Sequence, residues 1–220
     1  MATRFYTDPT NAPTVSPAYV GSLWDDTTQA VRRKLVIDTA GNNASTDFNF
    51  NEVAAYNDYI LAVQFVSEPL DAISATLSAN KIVFRCLESN AKAQCFLFYY
   101  FGKCDSDGSN ATKIDWAIDF TEFDNGVLTN RAAITGDILD KVFNQGDRLI
   151  LEVGAKFSYS KVSGYNATIN VTDNHATDLP ENDTETAAYN SWIETGDTFT
   201  EASGDPPAEV VKLGPMFAFA

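Results

Sequence analysis

The residues of this chain that could do chemistry are a single histidine, three cysteines and many carboxylates. His175 lies in the acidic segment Asp173–Glu194, and any Ser-His-Asp or Cys-His chemistry would depend on it. Neither a G-x-S-x-G sequence nor a glycine-rich phosphate-binding loop occurs in the chain. Because a histidine without such a signature is usually exposed or hydrogen-bonded in a structural role, we predict no catalytic residue, no bound cofactor and no enzymatic activity.

Paired carboxylates are a second candidate, because glycoside hydrolysis needs two acids at a defined separation. Asp115, Asp119 and Glu122 form the most interesting set, since they lie beside Trp116 and Phe120. The chain has 30 acidic residues, so sets of this kind arise easily. The alternation of apolar and polar residues favours a different interpretation, in which these acids form the wet side of an amphipathic strand.

Two acidic segments carry the oxygen ligands that calcium prefers. Asp105–Gly108 has the alternating oxygens of a calcium loop without the distal glutamate of an EF-hand, and Asp-Gly is also a favourable hairpin turn. The second segment brings together Asp173, Asp178, Glu181 and Asp183. We predict no metal site, with calcium bound to the second segment as the alternative.

The three cysteines, Cys86, Cys95 and Cys104, are spaced by nine residues each. This spacing does not match that of zinc ligands. An odd number of cysteines also argues against a framework of disulfides. We predict buried thiols, and a Cys86–Cys95 bridge or a bridge between subunits remains an alternative.

Charge and hydropathy exclude several classes of partner. The net charge is −15, and the longest basic cluster is Arg32-Arg33-Lys34, so the footprint of a nucleic-acid-binding protein is missing. Anionic membrane surfaces are disfavoured for the same reason. The residues after Met1 do not form a signal peptide, and the longest apolar stretch, Cys95–Phe101, is too short to span a bilayer. We expect a protein that is kept in the cytosol or assembled there into a larger particle.

Apolar alternation and aromatic runs predict many short strands and almost no helix. The predicted strands are Lys34–Ile37, Tyr59–Val66, Lys81–Glu88, Cys95–Phe101, Lys113–Phe120, Val127–Ile134, Asp147–Gly154 and Ala167–Thr172. The polar turn between Lys81–Glu88 and Cys95–Phe101 predicts an antiparallel hairpin, and Gly136–Asn144 has the spacing of one short helix. The fold class predicted is an all-β, antiparallel β-sandwich or jelly roll.

The predicted domain organisation is one sandwich with two extended ends. Residues 1–30 carry Pro9, Pro13 and Pro17 and are predicted as an extended arm, because proline removes a backbone donor and restricts its predecessor. Residues 31–200 form the single β-sandwich domain, and residues 201–220 form a C-terminal tail.

Several segments of the chain, in this order and spacing, carry a resemblance to a known family. They are the opening Met-Ala-Thr-Arg-Phe-Tyr, Val15–Ala18, Trp24–Thr27, Gln64–Leu70, Leu87–Ala91, Gly146–Gly154, Thr177–Thr184 and Trp192–Glu194. On these segments the chain resembles a family of uncharacterised structural proteins of tailed-bacteriophage virions. The resemblance extends to about Thr198 and does not include the tail.

The resemblance implies a non-enzymatic structural component of the virion, a capsid decoration on the head surface or a collar or neck protein. The expected partners are other virion proteins and copies of the chain itself, contacted through the terminal arms, and the expected location is the virion. A glycan-binding jelly-roll module is the alternative, with Trp116, Tyr99 or Tyr165 as the aromatic platform. A hydrolase that uses a pair of acids is the third hypothesis.

Overall fold

The computed structural model describes residues 2–37, 44–51, 59–75, 80–134, 141–158, 164–173, 177–186 and 189–203. Within these ranges the chain forms thirteen β-strands, and no helix is present that could cross a lipid bilayer. The strands are β1 (Thr3–Asp8), β2 (Val31–Val36), β3 (Ala44–Asn51), β4 (Tyr59–Ser67), β5 (Ile73–Ala75), β6 (Lys81–Glu88), β7 (Cys95–Cys104), β8 (Thr112–Glu122), β9 (Thr129–Ile134), β10 (Lys141–Phe143), β11 (Arg148–Phe157), β12 (Asn166–Asp173) and β13 (Trp192–Thr195).

Eleven of these strands form one large sheet, in the order β3-β12-β6-β13-β1-β2-β4-β11-β7-β8, with β9 paired to β6. The remaining two, β5 and β10, form a small separate sheet. The predicted all-β class is confirmed. The prediction of a purely antiparallel sheet is wrong at one place, because β2 and β4 are parallel. The connection between them contains β3, which lies at the far end of the sheet, and only such a long crossover lets two neighbouring strands run in the same direction.

The core lies between the two ends of this sheet. Phe65 on β4 stacks with Phe84 on β6 at 6.0 Å between ring centroids, although three strands, β13, β1 and β2, lie between β6 and β4 in the sheet. Phe50 on β3 meets Phe157 on β11 edge-on at 6.2 Å. The sheet therefore curls until the β3–β12–β6 end covers β4 and β11, and the alternate residues on the inner faces are fully buried.

The strand β7 is apolar on both faces because each face is covered. Tyr99 and Phe101 point into the core, whereas Phe98 and Tyr100 point outward and pack against Trp24 at 5.2 Å and 5.5 Å between ring centroids. The predicted hairpin of β6 with β7 is wrong, because β7 pairs with β11 and β8. Two apolar strands on either side of a short polar turn also suit a connection that crosses from one end of the curled sheet to the other.

The predicted arm, residues 1–30, is divided in two by the structure. Thr3–Asp8 is an inner strand of the sheet, paired with β13 on one side and β2 on the other. The following segment runs over the outer face and is held by the buried carboxylate of Glu152, which accepts hydrogen bonds from Val20 N (2.7 Å), Gly21 N (2.9 Å) and Trp24 Nε1 (2.7 Å). The carboxylate thus supplies acceptors to backbone donors that a proline-rich segment cannot place in a ladder.

The edge strand β8 buries the face that was predicted to be exposed and exposes the face that was predicted to be buried. Trp116 and Phe120 are 43% and 81% exposed, while Ala117 is buried against the core. The reason is the register with β7, which places Ala117 opposite the inward-pointing Tyr99. The acids Asp115 and Asp119 alternate with Trp116 and Phe120 and therefore lie on the inner side.

The segment predicted as one short helix, Gly136–Asn144, contains the strand β10 at Lys141–Phe143, so the helix prediction is wrong there. Residues 135–140 lie outside the described residues. A helical spacing of only four apolar residues is easily overridden by tertiary pairing, here with β5. In the predicted C-terminal tail, Glu201 forms a bridge with Leu70, and residues 204–220 lie outside the described residues.

Candidate functional site

A row of polar side chains crosses the outer face of four neighbouring strands. Arg85 on β6 lies opposite Asn130 on β9 and opposite Asn170 on β12, and Asn170 lies opposite Asp47 on β3. Directly paired residues point to the same face of a sheet, so the four side chains stand side by side. The neighbours of Arg85 in the sequence, Phe84 and Cys86, point to the other face and are buried in the core. A cationic side chain is therefore fixed at the centre of a polar row.

Arg85 has hydrogen-bonding capacity to spare. Its Nη1 donates to Asn170 Oδ1 at 3.1 Å, which uses one of the five N–H donors of a guanidinium. Its Nε is buried without a hydrogen-bond partner, and no carboxylate of the described residues lies within ion-pair distance. Burial lowers the pKa of Arg85, and the charge of Asp47 opposes this effect. A partly desolvated cation with open donors is suited to bind an anion.

A cleft opens directly beside this guanidinium. Its volume is about 450 Å³, which falls within the range of small-molecule sites. Two apolar residues, a glycine and two polar residues complete its walls, and the full lining is Arg85, Gly126, Val127, Leu128, Glu185 and Thr186. The combination of an apolar wall with a few charged groups is typical of sites that bind small organic molecules.

One wall of the cleft comes from the acidic segment after β12, which the sheet holds by ion pairs. Each of three acids meets a base of a different strand, and the pairs are Arg4–Asp178, Lys81–Glu181 (2.7 Å) and Arg131–Asp183 (2.8 Å). The segment is also fixed by Leu179, which is buried and whose carbonyl accepts a hydrogen bond from Trp192 Nε1 at 2.7 Å. The acidity of this segment therefore complements basic residues on the sheet.

Asn130 joins the cleft wall to the polar row. Its side chain donates to Thr184 Oγ1 at 3.1 Å and accepts from Thr186 Oγ1 at 3.2 Å, and its backbone N–H donates to the carbonyl of Thr184 at 3.2 Å. Because the residues on both sides of Glu185 are bound to Asn130, the backbone at Glu185 is held in place. The amide that does this is itself buried and lies opposite Arg85.

A second group of charged residues lies inside the sheet, at the β6–β9–β8 end. Arg131 is 2% exposed and donates to the carbonyl of Glu122. Burial raises the pKa of the Asp119 carboxyl, although Thr121 and Arg131 oppose the effect. Burial also raises the pKa of Glu88, whose Oε2 accepts a hydrogen bond from the Cys95 N–H at 2.9 Å. Glu88 is fully buried and has no access to a substrate, and its hydrogen bond with Cys95 connects β6 with β7.

The structure does not assemble the predicted acid set into one site. Asp119 lies on the inner side of β8, where burial raises the pKa of its carboxyl. Asp115 lies opposite Phe101 in the pairing of β8 with β7. Glu122 contributes its backbone carbonyl to Arg131. The three acids are thus not the wet face of an amphipathic strand, because the register of β8 turns that face inward.

The other predicted site residues are distributed over the molecule. His175 lies outside the described residues. The three cysteines are free and buried, and burial raises the pKa of Cys104 to about 11 and that of Cys86 and Cys95 still further, so their thiols are protonated. The segment at Asp105 forms a turn closed by a hydrogen bond from the Gly108 N–H to the Asp105 carbonyl at 2.9 Å.

The geometry of the described residues does not support a metal site or a sugar-binding surface. Among the described residues no group of three or more His, Cys, Asp or Glu side chains could hold a metal ion. Of the predicted aromatic platform, Tyr99 is fully buried, Tyr165 packs against the core, and Trp116 is exposed on the edge strand. The three rings therefore do not form one surface.

The cleft was not found from the sequence, because its residues come from three distant segments. Arg85 gives the one usable signal, a charged residue within an otherwise apolar run. Asn130 and Glu185 lie in polar stretches that offer no pattern. Only strand pairing brings the three together.

Comparisons with known proteins give fold information. Neither a protein-family model nor a curated protein matches the chain. An aminopeptidase from the marine sediment archaeon Thaumarchaeota archaeon matches with a TM-score of 0.50 and 11% identity, over 76% of this chain and 35% of that chain. A CocE/NonD family hydrolase from Staphylococcus aureus has a TM-score of 0.49 and 10% identity, over 89% of this chain and 36% of that chain. The chain thus spans about a third of the length of the solved structures it matches, and the likeness at this identity shows the fold alone.

These comparisons contradict two of our predictions. The chain was predicted to be a non-enzymatic virion protein, a capsid decoration or a collar protein, or alternatively a glycan-binding module, and to lack enzymatic activity. The solved structure that the chain matches with a TM-score of 0.50 is instead an aminopeptidase, a hydrolase by its name. The resemblance to the phage family, the virion location and the self-association are not tested by these matches and stay predictions.

Proposed function

We propose that this chain binds the carboxylate group of a small organic molecule in the Arg85 cleft, and that it does so as the β-sheet unit of a hydrolytic enzyme. We further propose that the curled sheet is a β-sandwich of the jelly-roll type. The observation that carries the binding role is the unused donor capacity of Arg85 at the wall of a cleft of about 450 Å³.

The chemistry of the guanidinium selects the ligand. A guanidinium forms two parallel hydrogen bonds with a carboxylate, and these bonds are stronger where water is partly excluded. Val127 and Leu128 on the cleft wall favour an aliphatic body next to that carboxylate. A fully hydrated inorganic anion would gain nothing from this wall, so a small organic acid fits the cleft better.

The hydrolytic role is supported by the fold. The aminopeptidase structure contains a similar fold in about a third of its chain, and its name describes a hydrolase. In such an enzyme, a group that grips a remote part of the substrate contributes to catalysis by positioning the scissile bond. We assign Arg85 this positioning role and assign no residue of the described ranges to the chemical step.

The binding role is tested by calorimetric titration of the purified chain with 4-methylpentanoate and with the neutral 4-methylpentanamide. We expect the acid to bind and the amide not to bind. Arg85→Met should abolish binding, whereas Lys113→Met, which removes the same charge from the exposed side of β8, should leave it unchanged. Equal affinity for acid and amide, or unchanged binding by the Arg85→Met variant, would show that the cleft is not a carboxylate site.

The hydrolytic role is tested separately, with a panel of carboxylate-bearing esters and amides. For each ester or amide that is turned over, we expect a KM about tenfold higher in Arg85→Met, since the loss of one charge-assisted contact is of that order. The absence of turnover on the whole panel would refute a hydrolytic activity of this chain by itself.

A further inference from the structure

We infer that the ligand of the Arg85 cleft is a zwitterion, an amino acid or a short peptide, whose ammonium group is bound by Glu185. This inference rests on the proposed carboxylate site and adds a second charged pole to it. Glu185 and Arg85 both line the cleft, on separate segments of the chain.

Glu185 is distinguished from its acidic neighbours by having no base to neutralise it. Asp178, Glu181 and Asp183 each form an ion pair with a base of the sheet. Glu185 forms no ion pair within the described ranges, although it belongs to the same short segment. Its carboxylate is thus available to a cation that comes from outside the chain.

Asn130 ties the backbone around Glu185 to the strand that pairs with the strand of Arg85. Asn130 lies opposite Arg85 in the β6–β9 ladder, and it binds both Thr184 and Thr186, the neighbours of Glu185. A cleft lined by one cation and one anion favours a molecule with the complementary pair. It disfavours a simple acid, whose binding leaves the Glu185 carboxylate beside a second negative charge.

The rest of the wall restricts the shape of the zwitterion. Val127 is partly exposed, and around Gly126 no atom lies within 4 Å of the position that a Cβ would occupy. This free space beside an apolar wall accommodates an aliphatic side chain. The cleft of about 450 Å³ is wide enough for one amino acid or a short peptide, and the two share the chemistry that the charged poles recognise.

The experiment compares ligands that differ by one charged group. The purified chain is titrated with leucine, leucyl-leucine, 4-methylpentanoate and leucinamide, and the dissociation constants are compared. We expect leucine or leucyl-leucine to bind about tenfold more tightly than 4-methylpentanoate, which lacks the ammonium group. Whichever of the two binds more tightly identifies the amino acid or the peptide as the ligand.

Variants then assign the preference to Glu185. Glu185→Gln should bind the zwitterion and 4-methylpentanoate equally, while Glu201→Gln, a matched change at an exposed acid elsewhere, should keep the tenfold preference. Equal binding of both ligands by the unmodified chain, with dependence on Arg85, would overturn the zwitterion while leaving the carboxylate site intact. Failure of all four ligands to bind would overturn the carboxylate site itself.

Discussion

Arg131 on β9 donates to the carboxylate of Asp183 at 2.8 Å and so connects the interior of the sheet to the segment that forms one wall of the cleft. Arg131 is 2% exposed, whereas Asp183 is largely exposed. The arginine also donates twice to the carbonyl of Glu122 on β8. One buried side chain thus joins the edge strand, the strand beside Arg85 and the cleft wall.

We expect Arg131→Met to lower the free energy of unfolding by about 2–4 kcal/mol, because it leaves the Glu122 carbonyl without a donor and the wall without its anchor. Lys81→Met is the matched control. It removes a base from the pair with the exposed Glu181 and should change stability by less than about 1 kcal/mol. Urea denaturation of both variants measures the difference, and equal losses would contradict the anchoring role.

Glu152 fixes the segment that covers the outer face of β7. Glu152→Gln replaces one acceptor by an amide donor that faces the N–H groups of Val20 and Gly21 and the Nε1 of Trp24. We expect a loss of about 2–3 kcal/mol of unfolding free energy and faster amide hydrogen exchange at Val20 and Gly21.

The control for this change is Glu194→Gln, since Glu194 is a partly exposed partner of Arg4. Its effect should stay below about 1 kcal/mol, with unchanged exchange at Val20 and Gly21. If exchange at these two amides does not respond to Glu152→Gln, the carboxylate does not hold the segment.

Gly154 lies at the bulge of β11, where the backbone of β4 approaches closely. A Cβ at this position would stand 2.0 Å from the Ile60 carbonyl oxygen and 2.9 Å from the ring of Trp24. We expect Gly154→Ala to cost about 3 kcal/mol, because the obstacle is backbone and cannot move aside. Gly126→Ala, with open space around it and a φ of +72°, should cost only about 1 kcal/mol. Thermal denaturation ranks the two variants, and the reverse order would be inconsistent with this packing.

Glu88 gives the fold a defined pH dependence. Burial raises its pKa, the hydrogen bond from Cys95 N–H opposes this, and the neighbouring Glu122 carboxylate adds to it. A carboxyl with a raised folded-state pKa stabilises the fold below its ordinary pKa of 4.5. That contribution is lost as the pH rises through the raised value. We expect Glu88→Gln, which keeps an acceptor for Cys95 N–H, to become progressively more stable than the unmodified chain as the pH rises from the ordinary pKa of 4.5 to the raised one.

The pH dependence expected from Asp8 has the opposite sign to that of Glu88, because the pKa of Asp8 is lowered. Burial raises its pKa, but hydrogen bonds from Asn11 and Thr10 outweigh this and lower it overall. Its contribution is present above its ordinary pKa of 3.8 and is lost as the pH falls through the lowered value. Asp8→Asn should therefore lose stability relative to the unmodified chain as the pH rises from the lowered pKa to the ordinary value of 3.8, measured by denaturation at each pH. A shift of the same sign for Glu88→Gln and Asp8→Asn would contradict one of the two assignments, and the sign itself identifies which one.

The strands with a strong local signal were predictable, and those without it were not. Tyr59–Val66 and Lys81–Glu88 are rich in β-branched and aromatic residues, and the structure has β4 and β6 in these places. The strand β3, Ala44–Asn51, was missed because most of its residues are small and polar. Its strand conformation comes from pairing with β12 along its whole length, a contact with residues more than 100 positions away.

The candidate site could not be predicted for a related reason. Periodicity shows which residues of a strand share a face, but it does not say which face is inside. On β8 the pattern was clear, yet the bulkier face points outward, because pairing with β7 decides the orientation. The same rule applies to Arg85, whose position beside a cleft depends on β9 and on the segment around Glu185.

The sequence by itself determined that this chain is a β-sheet protein with an acidic surface, because composition, alternation and turn residues act locally on the backbone. Tertiary structure decided the order of the strands, the parallel β2–β4 pair and the assembly of the Arg85 cleft. These features depend on contacts between residues far apart in the chain. Their free energy comes from burying two ends of one sheet against each other, and no local pattern records which partner each strand will find.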